Sequence, residues 1–257
     1  MTVLSQEWVE ATRIAGPDDI RRAAVALERF ARDRGFRVAP THNIAEKRSP
    51  VDLEGNLLAR DVFGWEDHPK VWWRNSRLAL DSPLTMACRF ENEPFWASAE
   101  GFRTRLPNPA LERINRDNFE ARAFARAAIV VPVHMAFGQI GAASFIPLDA
   151  ARTDLAEDYT RFGDAFGFCA RGFLVSYVRV MAERQKVQAD PTLSRHEVEC
   201  LRWAAIGKTD EEICMIMSRS RATIRYHLKN AATKLNAVNR SQTVVKAAQL
   251  GYLATRT

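Results

Sequence analysis

Hydrophobic residues recur at helical spacing through residues 193–257, in three well-marked segments. Ser194 followed three positions later by Glu197 is a capping-box signature, and Thr209 with Glu212 repeats it. Each opens an apolar-periodic run, so two helices are predicted, starting at about 194 and 209. After the polar stretch Ser218-Arg219-Ser220, a third helix carries Ile224, Leu228, Ala231 and Leu235 as its inward stripe. Arg221, Arg225 and Lys229 lie four residues apart and share a different face of that helix. Helix, tight turn and basic second helix describe a helix-turn-helix, which places its second helix in the major groove of DNA.

The first 182 residues mix the two periods. Asp18–Arg34 reads as an amphipathic helix with Ile20, Ala24, Leu27, Phe30 and Ala31 inward, closed by Gly35. A short strand begins at Phe36. Trp65–Leu80 is predicted to be an interrupted helix, and Asn108–Ala123 a continuous one. Ala127–His134 and Gln139–Pro147 read as strands joined in a hairpin. Arg152–Glu183 reads as a long helix with Phe162, Phe166, Cys169, Phe173, Tyr177 and Val180 on one stripe. A sheet with helices on both sides is the most economical arrangement of these elements. The polar, proline-containing stretch 183–192 separates this region from the last one. The expected organisation is a domain over 1–182, a linker over 183–192 and a helix-turn-helix domain over 193–257.

Charge sharpens this division. Residues 193–257 hold eleven Lys or Arg and five Asp or Glu, a net +6, which equals the net charge of the whole chain. The first 192 residues therefore balance, and the excess sits where a polyanion would be bound. The four cysteines show no paired CxxC spacing and read as reduced thiols, so neither a metal site nor a cofactor is expected. The start of the chain lacks the basic and apolar runs of a signal peptide, and the longest unbroken apolar run, Ala127–Val133, is too short to span a bilayer. A cytoplasmic protein without a membrane partner is expected.

The C-terminal segment resembles the DNA-binding domain of the LuxR family of bacterial transcription regulators. The resemblance runs through Leu193, Arg195, Glu197, Leu201, Gly207, Lys208, Glu212, Ile213, Thr223, Ile224, His227, Leu228, Lys234, Leu235 and Asn239-Arg240. It implies a fourth helix near 241–250 that supports dimerisation on a two-fold symmetric operator. Ser220, Arg221, Ala222 and Arg225 are expected nearest the base edges, with the two arginines reading bases, because a guanidinium grips guanine O6 and N7 with two bonds. Thr223, Lys229 and Arg240 are expected at phosphates, and His227 and Trp203 in packing roles. Arg219 departs from the family, which usually has an aliphatic residue there, so its side chain must leave the turn's core or join the phosphate contacts.

Four of the six tryptophans, Trp65, Trp72, Trp73 and Trp96, fall within about thirty residues, with one acid, Asp81, in the middle of that stretch. By composition alone this is a rich aromatic core with Asp81 opening a helix. Aromatic walls with a few polar groups also hold small organic ligands. The resemblance to LuxR-type quorum-sensing regulators adds an α+β expectation: an N-terminal α-β-α sandwich ligand-binding domain before the all-α four-helix helix-turn-helix domain. In that family an Asp and a Trp fifteen residues later line an acyl-homoserine-lactone pocket, and Asp81 and Trp96 keep that spacing. Counting back places Trp72 where the family has Tyr and His68 where it has Trp. Gly141-Ala142-Ala143-Ser144 resembles the strand whose hydroxyl meets the acyl carbonyl, which nominates Ser144. Trp65 completes the candidate set. The two changed hydrogen-bond donors favour a changed ligand.

The function read from the chain is a small-molecule-responsive, homodimeric DNA-binding transcription regulator of the quorum-sensing type, sensing an acyl-homoserine lactone or a related signal. Two alternatives stay open: an orphan regulator with a flat or aromatic non-lactone ligand, and a regulator that needs no ligand. A phosphorylated receiver domain is disfavoured, because the only early acidic pair, Asp18-Asp19, opens a helix and does not follow a strand. No HExxH, GxSxG or phosphate-loop pattern points to an enzyme.

Overall fold

The computed structural model describes residues 6–45, 49–65, 80–135, 138–184 and 192–253. The predicted helix over Trp65–Leu80 therefore falls almost wholly outside the described residues. The described chain divides into an N-terminal and a C-terminal unit.

In the N-terminal unit, α1 (Gln6–Ala11) precedes α2 (Ile20–Arg32). The Asp19 carboxylate accepts the free N–H groups of Ala15 and Gly16 ahead of α2. Ile20, Ala23, Ala24, Leu27, Phe30 and Ala31 are all buried. Gly35, at φ +81°, takes the left-handed turn that lets the chain reverse into β1 (Phe36–Thr41). The remaining elements are α3 (Leu58–Asp61), α4 (Pro83–Ala87), β2 (Phe95–Ser98), β3 (Gly101–Arg103), α5 (Pro109–Glu112), α6 (Phe119–Ala123), β4 (Ala127–His134), β5 (Ile140–Pro147) and α7 (Ala156–Arg184).

The strands form one antiparallel sheet in the order β1-β5-β4-β2-β3. Side chains alternate between its faces. The register aligns Val38, Phe145, Ile129 and Trp96 in one row across the sheet. That row belongs to the core shared with α2 and α7. There Phe166 of α7 stacks on Phe145 at 3.9 Å and 4°, and Cys169, Phe173, Tyr177 and Val180 continue the predicted stripe. The adjacent row, Ala39, Ser144, Val130 and Phe95, faces the opposite way. On that side Leu84 and Ala87 of α4, Leu111 of α5, Ile114 just after it and Phe119 of α6 pack against Ala97, Ala128, Val130 and Ala142. The unit is thus helix–sheet–helix, as expected.

Pro132 is tolerated in a central strand for a visible reason. The β2 ladder ends at Val130, so among the described residues β4 pairs beyond it with β5 alone. By length and composition alone Ala156–Ala182 is apolar enough to cross a membrane; in this fold its buried residues complete the α2 side of the core.

One predicted helix is corrected. Residues 108–123 form two short helices, α5 and α6, because polar side chains take over the backbone between them. Asn115 Oδ1 accepts the Asp117 N–H at 2.6 Å, Arg122 donates to the carbonyls of Asn115 and Asp117, and Asn118 turns left-handed at φ +52°.

The C-terminal unit holds α8 (Arg195–Ala205), α9 (Asp210–Met217), α10 (Arg221–Lys234) and α11 (Arg240–Gln249). Leu201, Ala231, Leu235 and Ala247 form one core cluster, and Cys200, Ile213 and Ile224 a second. Both predicted capping boxes are present as reciprocal bonds, Ser194 with Glu197 and Thr209 with Glu212.

Candidate nucleic-acid interface and ligand region

The turn into α10 is built from Ser218 in left-handed conformation (φ +50°) followed by Ser220 at the helix start. Ser220 Oγ accepts the Thr223 N–H at 3.1 Å and pairs with Thr223 Oγ1 at 2.8 Å, so both side chains organise the helix start. Ile224 and Ala231 anchor the inner side of α10, which leaves Arg221, Ala222, Arg225, Tyr226 and Lys229 exposed on the outer side. The helix therefore presents the predicted basic row outward. Arg219 is exposed, so its side chain leaves the turn's interior. His227 is half-buried against His196, ring centroids 5.4 Å apart, in the packing position expected of it.

Acids next to this row were not anticipated. Arg225 Nε lies 3.5 Å from Asp210 Oδ2, and Arg221 Nη1 lies 3.0 Å from Glu211 Oε1. Asp210 also receives Arg240 Nη1 at 2.5 Å, while Arg240 Nη2 donates to the Lys208 carbonyl at 2.6 Å. Both acids sit in the first turn of α9, where a helix start favours negative charge. Their reach across to α10 and α11 depends on helix packing. Glu212 is used differently: Lys208 first, then the Thr209 N–H and hydroxyl, hold its carboxyl down at about 2. Burial pushes the Glu197 carboxyl up, but the Ser194 N–H and Lys234 more than offset this and leave it below the usual carboxylate range.

Among the described residues, the candidate ligand residues Trp96 and Ser144 lie on opposite sides of the sheet. His68 and Trp72 lie outside the described residues. Trp96 is buried on the α7 side of the sheet, whereas Ser144 points to the α4–α6 side. The residue of β2 in line with Ser144 is Phe95, two strands away through Val130. Trp65 is half-buried; its indole N–H donates to the Val38 carbonyl at 2.8 Å and Arg37 lies over its ring at 5.0 Å. That N–H is already used by the fold. Asp81 is exposed just ahead of α4, with its backbone carbonyl held by Arg122 Nε at 2.9 Å. Around Ser144 the sheet surface carries the small side chains Ala39, Thr41, Ala128 and Ala142 beside Val130, its partner on β4. Among the described residues no group of three or more His, Cys, Asp or Glu side chains could hold a metal ion.

A capped two-helix unit with an outward basic row, inside a four-helix domain, defines a helix-turn-helix DNA-binding regulator. The comparisons narrow this class. Residues 191–247 match the model for bacterial regulatory proteins of the luxR family. The transcriptional activator protein LuxR of Aliivibrio fischeri is 31% identical over 204 residues, which cover 77% of this chain and 78% of LuxR. The transcriptional activator protein VanR of Vibrio anguillarum is 31% identical over 147 residues, covering 55% of this chain and 60% of VanR. Escherichia coli SdiA shares the fold at a TM-score of 0.54, with 19% identity and 98% of each chain covered. The chain belongs to the LuxR family of bacterial regulatory proteins.

Proposed function

We propose that this protein is a cytoplasmic, homodimeric quorum-sensing regulator whose grip on a two-fold symmetric DNA site responds to a small acyl-type signal. The observation that carries the reading is the exposed row Arg221, Arg225 and Lys229 on a helix whose inner side is locked by Ile224 and Ala231. Arg221 and Arg225 read bases, together with Ser220 and Ala222 at the helix start; Thr223, Lys229 and Arg240 meet phosphates. The ligand lies on the Ser144 side of the sheet. Ser144 shares that side with Ala39, Thr41, Ala128 and Ala142, and Asp81 stands one residue before Ser82, the N-cap of α4. His68 and Trp72 complete the pocket in this reading. Trp96 and Trp65 support it from within the fold. A ligand acts only through its preference for the DNA-competent state.

Selection of randomised duplexes by the full-length protein tests the DNA reading. Two-fold symmetric sites are expected, with half-sites about one helical turn apart. Arg225→Ala should lose about 1–3 kcal/mol at one base position per half-site. An equal loss on every sequence would make Arg225 a phosphate contact and refute its role. For the pocket, titration with N-acyl-homoserine lactones followed by tryptophan fluorescence should show binding that Asp81→Ala and Ser144→Ala weaken. Binding unchanged in both variants would reject the site.

A further inference from the structure

The acid that faces the reading helix carries an inference beyond DNA binding itself, one that rests on the assignment of Arg225 as a base reader. Asp210 is the first residue of α9, directly after the Thr209 cap, where the helix start favours a carboxylate. Its second oxygen is held by Arg240 from α11, at 2.5 Å. It is only 22% exposed, against 62% for Arg225. The carboxylate is therefore held by a group other than Arg225, and the arginine is the more exposed member of the pair. The contact uses Arg225 Nε. A guanidinium has one N–H on Nε and four on its two terminal nitrogens. This ion pair approaches through Nε at 3.5 Å and leaves the terminal nitrogens, the edge that grips guanine end-on, for a base. The Glu211–Arg221 pair differs: both side chains are more than half exposed, at 71% and 55%. Solvent screens such a pair, and it fixes little.

We propose that Asp210 is a positioning and specificity-determining residue for DNA recognition: it orients Arg225 by its Nε edge and sets a permanent negative charge beside it. Orientation favours the correct base. The charge opposes the phosphate contacts through which an unconstrained arginine would bind any sequence. Asp210 touches neither bases nor phosphates; it acts through Arg225.

The test compares the full-length protein and its Asp210→Asn variant on two duplexes: the most enriched site from the selection above, and a scrambled duplex of equal length. The amide keeps the shape and removes the charge. Affinity for the scrambled duplex should rise, its salt dependence should steepen by about one in slope, and the ratio of site to scrambled affinity should fall about fivefold, the lower end of what a bidentate base contact contributes. In an Arg225→Ala background the same change should leave the ratio unmoved. Asp210→Ser, which keeps a short polar group at the helix start, gives the same comparison if the amide variant fails to fold. Equal changes on both duplexes overturn the proposal, as does a fall in the ratio that persists without Arg225. If Arg225→Ala alters no base preference, the underlying reading of Arg225 fails and this proposal with it. If it alters one while Asp210→Asn does not, only the proposal fails.

Discussion

Glu197 offers a stability test whose magnitude follows from the geometry. Its carboxylate is buried at 3% exposure and accepts two charge-assisted bonds, from the Ser194 N–H at 2.7 Å and from Lys234 Nζ at 2.9 Å. It thereby ties the start of α8 to the end of α10. Glu197→Ala deletes both bonds and leaves the Ser194 Oγ cap on the residue 197 N–H intact. The lost backbone cap is worth about 1 kcal/mol. The ion pair adds only about another 1 kcal/mol, because Lys234 is 41% exposed and can turn to water. A total near 2 kcal/mol corresponds to a drop of about 10 °C in the melting temperature of a domain this small. Glu197→Gln keeps a capping acceptor and should lose about half as much. The readout is native-state hydrogen exchange of the slowest amides in α8 and α10. A loss below about 0.5 kcal/mol in the alanine variant would refute the bookkeeping, since an error that large exceeds the stated contributions. A glutamine variant as damaged as alanine would show that charge, not capping, governs the site. The pH dependence has a defined sign. The folded carboxyl titrates below its ordinary value, so this stabilisation is present at neutral pH and fades as pH falls below the ordinary carboxylate range. Glu197→Gln should flatten that part of the profile.

Two further outcomes are expected. Burial pushes the Cys88 thiol up to about 12 and those of Cys169 and Cys200 to about 11, so a maleimide at pH 8 should label half-buried Cys214 first; peptide mapping that finds Cys88 first would contradict the packing. Phe166→Ala removes the ring stacked on Phe145 and touching Phe30 and Phe36, and should destabilise the N-terminal unit by about 3–5 kcal/mol in denaturant unfolding; a change under about 1 kcal/mol would mean the core closes over the gap.

Local chemistry was readable where it acts over a few residues. Ser194 with Glu197 and Thr209 with Glu212 satisfy neighbouring backbone groups, and both appear as bonds. The stripe from Phe166 to Val180 and the hairpin of β4 and β5 were legible for the same reason, because each period is set within one element. Four features were not. The break between α5 and α6 arises from Asn115 and Arg122 competing for backbone groups, which periodicity does not register. Strands β2 and β3 are four and three residues long and exist through pairing with β4 and with each other. The separation of Trp96 from Ser144 depends on register: a spacing of fifteen fits Asp81 to Trp96, but the pleat decides which side of the sheet a residue serves. The acids Asp210 and Glu211 are likewise ordinary in sequence, and only the packing of α9 on α10 brings them to the arginines.

The sheet is a thin partition between two unlike rooms. Its aromatic side is a wall that α2 and α7 need in order to stand, and its other side is lightly furnished beneath α4 and α6. Because neighbouring residues along a strand answer to different rooms, exchanging Ala39, Ala142 or Ser144 refurnishes one without disturbing the other. A lineage can therefore remodel one side of the partition while the other drifts hardly at all.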